Sequence, residues 1–210
     1  MHAETRGTTT TGRVLHSAGV YDWLAWLLLG GRERPFRQRV LELGHVRTGN
    51  AILDVGCGTG TLAILAKERV GPSGAAHGID ASPEMIAKAR RKAKRAGLEV
   101  SFEEAVVEAM PFPAEKFDAV LSTLMLHHLP RSVREQCARE MRRVVRPGGR
   151  VVVVDFGART GGKSILERFH RYGRIEPAEI QRVLTDAGLR VDESGPMGLH
   201  DLQFVVARVP

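Results

Sequence analysis

A chain of 210 residues, 43% hydrophobic and 26% charged, is long enough for one domain with its own core and needs no metal or disulfide staple. Its net charge of +7, from 31 basic and 24 acidic residues, excludes an acidic disordered chain. Two cysteines, Cys57 and Cys137, exclude a disulfide-rich scaffold, a four-cysteine zinc site and a three-cysteine iron–sulfur cluster, and no metal site is expected.

Residues 1–12 are small and polar, running through Thr8 to Thr11, and predict a flexible tail without the apolar core of a signal peptide. The longest apolar stretch, Val20 to Leu29, is interrupted by Asp22 and is about half the length needed to span a bilayer. A cytoplasmic protein is the expectation. Residues 13–48 then read as a helical segment. Leu15, Val20, Trp23, Leu24, Leu27 and Leu28 mark its first part, Phe36, Val40, Leu41 and Leu43 its second, with Gly30-Gly31 between them.

From 49 to 210, short apolar runs alternate with helical stretches. The runs are Ala51–Val55, Ala75–Ile79, Glu99–Phe102, Ala119–Leu124, Val151–Phe156, Leu189–Asp192 and Leu202–Ala207. Helices are predicted at Thr61–Val70, Pro83–Ala96, Ser132–Val145 and Pro177–Ala187. Such alternation predicts one α/β unit of parallel strands with helices on both faces. Val151 to Val154 is unbroken and β-branched, which suits a central strand buried on both sides. The last two runs have no helix between them and should pair as an antiparallel hairpin.

Chemistry concentrates where strands end. Asp54 is followed by glycines at 56, 58 and 60, which let the backbone turn sharply and let a ligand approach the main chain. A dinucleotide fingerprint would place its third glycine at position 61, where Thr61 stands, so the loop is not a pyrophosphate cradle. Asp80 ends the second run, placed to accept the two hydroxyls of a ribose. Ser82-Pro83 then opens a helix with a capping hydroxyl and a proline in the first turn.

Four segments in order, LDVGCGTG, GIDASPEM, MPFPAEKFDAVLSTLMLHHL and RVVRPGGRVVVVDF, resemble the class I S-adenosylmethionine-dependent methyltransferases. Upstream, Val20-Tyr21-Asp22-Trp23 through Phe36-Arg37 is similar, more loosely, to the ubiquinone/menaquinone biosynthesis C-methyltransferase branch and its phospholipid N-methyltransferase relatives. The resemblance implies a Rossmann-like, seven-stranded, mostly parallel sheet behind an N-terminal helical lid. It implies S-adenosyl-L-methionine as cofactor and S-adenosyl-L-homocysteine as product. By the same resemblance Gly56, Gly58, Thr59 and Gly60 would pass under the methionine part, with Asp54 organising the loop. Asp80 would bind the ribose, Ala81 and Met85 would border the adenine, and Thr123 would lie near the methionine amino group or the sulfonium. Five residues before Pro111 the family often has an acid or asparagine for the adenine amino group. Val106 stands there, beside Val107, so adenine would rely on backbone, apolar contact, Glu104 or Glu108.

The sulfonium activates the methyl group, so the protein mainly has to hold a nucleophile in line behind it. His127 and His128, just after the fourth run, are the candidate bases, and as neighbours they should point apart so that at most one faces the substrate. Tyr21 is a candidate lid residue. His170 and Tyr172 could complete the pocket. Met125-Leu126-His127-His128 occupies the place of an arginine–asparagine pair in the quinone branch, a departure that points away from a quinone.

Two helices are rich in cations: six within Lys88–Arg95, and six arginines from Arg131 to Arg146. With Trp23 and Trp26 they suit a small-molecule or lipid-like acceptor and peripheral contact with an anionic membrane. No aromatic interrupts the first cluster, so a nucleic-acid substrate is not favoured. Two other readings stay open: methylation of RNA or protein through the basic surface, and a cofactor-binding module without catalysis.

Overall fold

The computed structural model describes residues 32–157, 175–199 and 201–210. The polar tail, Tyr21, both tryptophans, His170 and Tyr172 lie outside the described residues. The first described helix, α1 (Glu33–Leu43), is the second half of the expected helical segment, and it buries Phe36, Val40, Leu41 and Leu43.

Seven strands follow: β1 (Ala51–Val55), β2 (Ala75–Asp80), β3 (Ser101–Glu104), β4 (Phe117–Thr123), β5 (Val145–Phe156), β6 (Arg190–Pro196) and β7 (Leu202–Arg208). They form one sheet in the order β3-β2-β1-β4-β5-β7-β6. All neighbours are parallel except β7, which runs antiparallel to both β5 and β6. The expected terminal hairpin is therefore present.

Helices α2 (Thr61–Val70), α3 (Pro83–Arg95), α4 (Arg131–Val144) and α5 (Pro177–Asp186) are amphipathic crossovers that bury one stripe each. In α3 the stripe is Met85, Ile86, Ala89 and Ala93; in α4 it is Val133, Cys137, Ala138, Met141 and Val144. Ser82 caps α3 by accepting a hydrogen bond from the Met85 N–H at 3.3 Å, with Pro83 in the first turn. The core lies in two main layers on opposite faces of the sheet. Val151 and Val153 belong to one and Val152 and Val154 to the other, and all four are fully buried. Among the described residues no helix is long and apolar enough to cross a membrane.

Several strand boundaries differ from the sequence reading: β4 starts earlier, at Phe117, and β6 runs on to Pro196. The strand β3 is displaced two residues toward the C-terminus, because Gly97 turns the chain and Leu98 to Val100 reach the sheet edge before pairing begins at Ser101 with His77. The strand β5 starts at Val145, through Arg146-Pro147-Gly148-Gly149, where Pro and Gly suggest a break. There the register with β4 slips between Phe117 and Ala119, a bulge that accommodates those residues on an extended course.

Candidate active site

The order of strands reverses at β1: the chain leaves it for β2 and β3 on one side, then returns to β4 on the other. The carboxyl ends of β1, β2, β4 and β5 meet around this switch point, where open α/β sheets leave a crevice.

The glycine loop fills the edge of this crevice. The N–H groups of Gly56 and Cys57 both donate to the Ile79 carbonyl at 2.9 Å, tying the end of β1 to the end of β2. Gly56 has φ 71° and Gly60 φ 78°, so both need a left-handed backbone. A Cβ on Gly56 would run into the Met125 side chain, and one on Gly60 would lie 2.6 Å from Phe102 and 2.8 Å from Ala89. Asp80 closes the loop from the other side. Its carboxylate accepts the Gly58 N–H and the Ser82 N–H, each at 2.9 Å, so one side chain links the loop to the start of α3. Burial raises its pKa, and those two backbone donors pull against the rise.

Asp54 is 1% exposed, and neither carboxyl oxygen has a hydrogen-bond partner among the described residues. Burial pushes its pKa up to about 7; the Arg37 guanidinium and, more weakly, the Ala63 N–H oppose the shift, and nearby Asp80 adds to it. A buried carboxyl without donors is costly, and it is a ready acceptor for a cationic ligand. Arg37, on α1, is held by Glu33 at 2.8 Å. The Thr59 hydroxyl is buried and accepts from Lys92 Nζ at 3.2 Å, while the same ammonium donates to Thr61 Oγ1 at 2.6 Å. Lysine 92 therefore braces the loop from α3.

The other expected positions divide. Ala81 is half-buried beside Asp80, Met85 is buried in the first turn of α3, and Thr123 ends β4 at the crevice edge. Val106 and Val107 are both buried, each 8% exposed, and Val107 belongs to the core layer that contains Leu53, Val55 and Ile79.

His127 and His128 occupy a 3-10 turn, Leu126–His128. Their rings do not diverge as the sequence reading expects. The tight turn sets them side by side, with ring centroids 3.9 Å apart and planes tilted by 46°, and of the two only His127 is buried. Its Nδ1 is 2.6 Å from Asp155 Oδ1, and its backbone N–H donates to Asp155 Oδ2 at 3.1 Å. Phe156 N–H also donates to Oδ1, at 2.8 Å, and the Phe156 ring meets the His127 ring edge-on. Asp155 is fully buried near the end of β5 and went unnoticed in the sequence, where it follows four valines as an ordinary strand terminus. The available signal was its position, equivalent on β5 to that of Asp80 on β2.

The two cationic helices also part company. On α4, Arg131, Arg134 and Arg143 pair with Glu135, Glu179 and Glu140, and just beyond it Arg146 pairs with Asp118. On α3, Arg91, Lys94 and Arg95 form no ion pair among the described residues.

Comparison with known proteins agrees with this geometry. A family model described as a methyltransferase domain matches residues 52–149. The demethylmenaquinone methyltransferase of Thermus thermophilus is 39% identical over 168 residues, covering 80% of this chain and 71% of that protein. The ubiquinone/menaquinone biosynthesis C-methyltransferase of Pseudomonas fluorescens is 34% identical over 160 residues, 75% of this chain and 62% of that one. Among solved structures, a SAM-dependent methyltransferase from Aquifex aeolicus superposes with a TM-score of 0.75 at 23% identity, covering 93% of this chain and all of that one. Geranyl diphosphate C-methyltransferase from Streptomyces coelicolor, in complex with S-adenosyl-L-homocysteine, gives 0.73 at 15% identity, with 91% and 86% covered.

A sheet of this order, with a glycine loop after β1 and a bonded aspartate ending β2, is that of a Rossmann-like methyltransferase using S-adenosylmethionine. The chain belongs to the family that contains demethylmenaquinone methyltransferase and the ubiquinone/menaquinone C-methyltransferases. The departure at Met125 to His128 does not remove it from that family.

Proposed function

We propose that the chain methylates carbon on a small quinol-like acceptor, the chemistry named for its relatives. The observation that carries the reading is the meeting, at one crevice, of an acidic glycine loop with the buried His127. The residues present fit S-adenosylmethionine: Asp54 offers two unpartnered buried oxygens to a cationic ligand, and the glycine loop keeps side chains out of its path. When bound, that cofactor supplies a methyl group already activated on a sulfonium.

The chain's own residues then bind, orient and move protons. The backbone of Gly56, Gly58, Thr59 and Gly60 lines the methionine portion, with Thr123 at its edge. Asp80 keeps a lone pair on each oxygen beyond its bonds to Gly58 and Ser82, enough to accept two ribose hydroxyls. Ala81, Met85 and Val106 border the base. His127, with His128 beside it, stands at the acceptor end, and Tyr21 is assigned to the lid. Holding an acceptor at near-attack distance can account for up to ~7–11 kcal/mol of barrier.

The test is to incubate the purified chain with S-adenosylmethionine and short-chain demethylmenaquinol, then follow methylated product by mass spectrometry. Stoichiometric S-adenosylhomocysteine and methylquinol support the reading. Cofactor binding with no methylated quinol would overturn the acceptor assignment.

A quinol carrying an isoprenoid tail is delivered from a membrane, and the exposed Arg91, Lys94 and Arg95 of α3 suit transient contact with an anionic bilayer from the cytoplasmic side. The adjacent His127–His128 pair and its buried carboxylate favour this enzyme reading over a non-catalytic module.

A further inference from the structure

We infer that Asp155 is a positioning residue that makes His127, through its Nε2, the base that deprotonates the acceptor, and that the acceptor class is therefore one whose nucleophile must lose a proton. The inference rests on the methyltransferase reading above and deepens it.

Three nitrogens converge on the Asp155 carboxylate: His127 Nδ1 at 2.6 Å, the His127 backbone N–H at 3.1 Å and the Phe156 N–H at 2.8 Å. An oxygen that only accepts, facing Nδ1 at that distance, fixes the shared proton on Nδ1. In the neutral ring Nε2 is then the nitrogen that can accept a proton. The bidentate grip on both the ring and the backbone of one residue fixes the ring's orientation, and Phe156 backs it edge-on at 5.4 Å. Burying a carboxylate is costly, and here the cost is offset by bonds that all act on His127 or its neighbour. The register of β4 on β5, Thr123 against Val154, is what brings the residues that follow each strand together. Met125, two residues before His127, lies against Gly56 in the cofactor loop, so the pair borders the methyl-transfer end of the crevice.

For a hydroquinone the accounting is simple. His127 Nε2 takes the hydroxyl proton, which makes the oxygen's electron pair available at the ring carbon. The new carbon–carbon bond forms there as the methyl–sulfur bond breaks and its pair stays on sulfur. The ring carbon's own proton then leaves to solvent, and the imidazolium returns its proton to the oxygen. One proton departs for each methyl that arrives, so no oxidant or reductant is needed. An amine acceptor arriving unprotonated would have no use for this pair.

The experiment compares wild type with Asp155→Asn and His127→Gln on demethylmenaquinol analogues whose hydroxyl groups span a range of acidity. Because Asp155→Asn removes a buried charge, each variant is first checked by circular dichroism and by calorimetric binding of S-adenosylmethionine. His127→Gln, which keeps a donor for Asp155, serves if the first does not fold. We expect cofactor affinity within about twofold of wild type and kcat reduced by at least ~10²-fold on the least acidic hydroquinone. The deficit should shrink steadily as the hydroxyl becomes more acidic, since a group that is already ionised needs no base. A kcat within threefold of wild type, or a deficit that is constant across the series, would overturn the inference while leaving the acceptor assignment intact. A wild-type chain that binds cofactor but methylates none of the analogues would overturn both.

Discussion

Asp54 is almost completely buried, and among the described residues neither of its oxygens has a donor within hydrogen-bond geometry. With its pKa raised to about 7, the folded chain holds a proton there that the unfolded chain has already lost. Between about pH 4 and pH 7 the native state therefore binds more protons, and stability falls as pH rises through that window. Asp54→Asn should remove this fall, so that denaturant titrations at pH 5 and pH 7 differ less than in wild type by on the order of 1–3 kcal/mol. Equal pH dependence in the two proteins would mean that Asp54 is ionised in the fold. Ser82→Ala makes a smaller test. Loss of its cap on Met85 should cost about 1 kcal/mol, read from the denaturation midpoint. Both residues were legible in the sequence from their places at strand and helix ends. Arg37 and Asp155 were not, because their importance depends on what other elements bring beside them.

Among the elements, the junction of the glycine loop, α2 and α3 is the most constrained. Gly60 and Gly97 both have positive φ, but only Gly60 has neighbours where a Cβ would go. An alanine at either position should cost roughly 1–2 kcal/mol in backbone strain, and Gly60→Ala should add ~1–3 kcal/mol from the collision with Phe102 and Ala89. Chemical denaturation of the two variants side by side isolates that difference; equal losses would refute the crowding argument. The segment from Met110 to Phe112 is held in a different way. Arg143 donates to the Phe112 and Met110 carbonyls at 2.6 and 3.0 Å, and Glu140 accepts the Met110 N–H at 2.7 Å. Sequence periodicity revealed the helices and most strands here because each crossover buries a clear stripe. It missed the start of β5 because Pro147 and two glycines resemble a turn, and only pairing with β4 keeps them extended. The packing of His127 against His128 was hidden for a similar reason: alternation holds in strands, and a 3-10 turn does not obey it.

For the whole molecule, strand order carries more than composition does. The two cation-rich helices suggested contact with an anionic membrane, yet Arg131, Arg134 and Arg143 of α4 are committed to its own acids and to α5. Arg91, Lys94 and Arg95 on α3 are exposed, and such cations support contact with anionic lipid at about 1 kcal/mol each near a surface. Sedimentation with phosphatidylglycerol vesicles should fall at high salt and fall further for the triple variant Arg91→Ala, Lys94→Ala, Arg95→Ala; binding that ignores both would rule this surface out. The fold could be foreseen because glycine spacing and strand termini are local signals. The proton-handling pair could not, since Asp155 and His127 are 28 positions apart and meet only through the register of two strands.

The central claim is that the crevice at the β1 switch point is a working S-adenosylmethionine site. Calorimetric titration of the purified chain with S-adenosylmethionine and S-adenosylhomocysteine, repeated on Asp80→Ala, tests it most directly. One-to-one binding of both ligands, weakened at least tenfold in the variant (about 1.4 kcal/mol), is the predicted result. Unchanged affinity in a folded Asp80→Ala chain, or no binding to wild type at all, would contradict it.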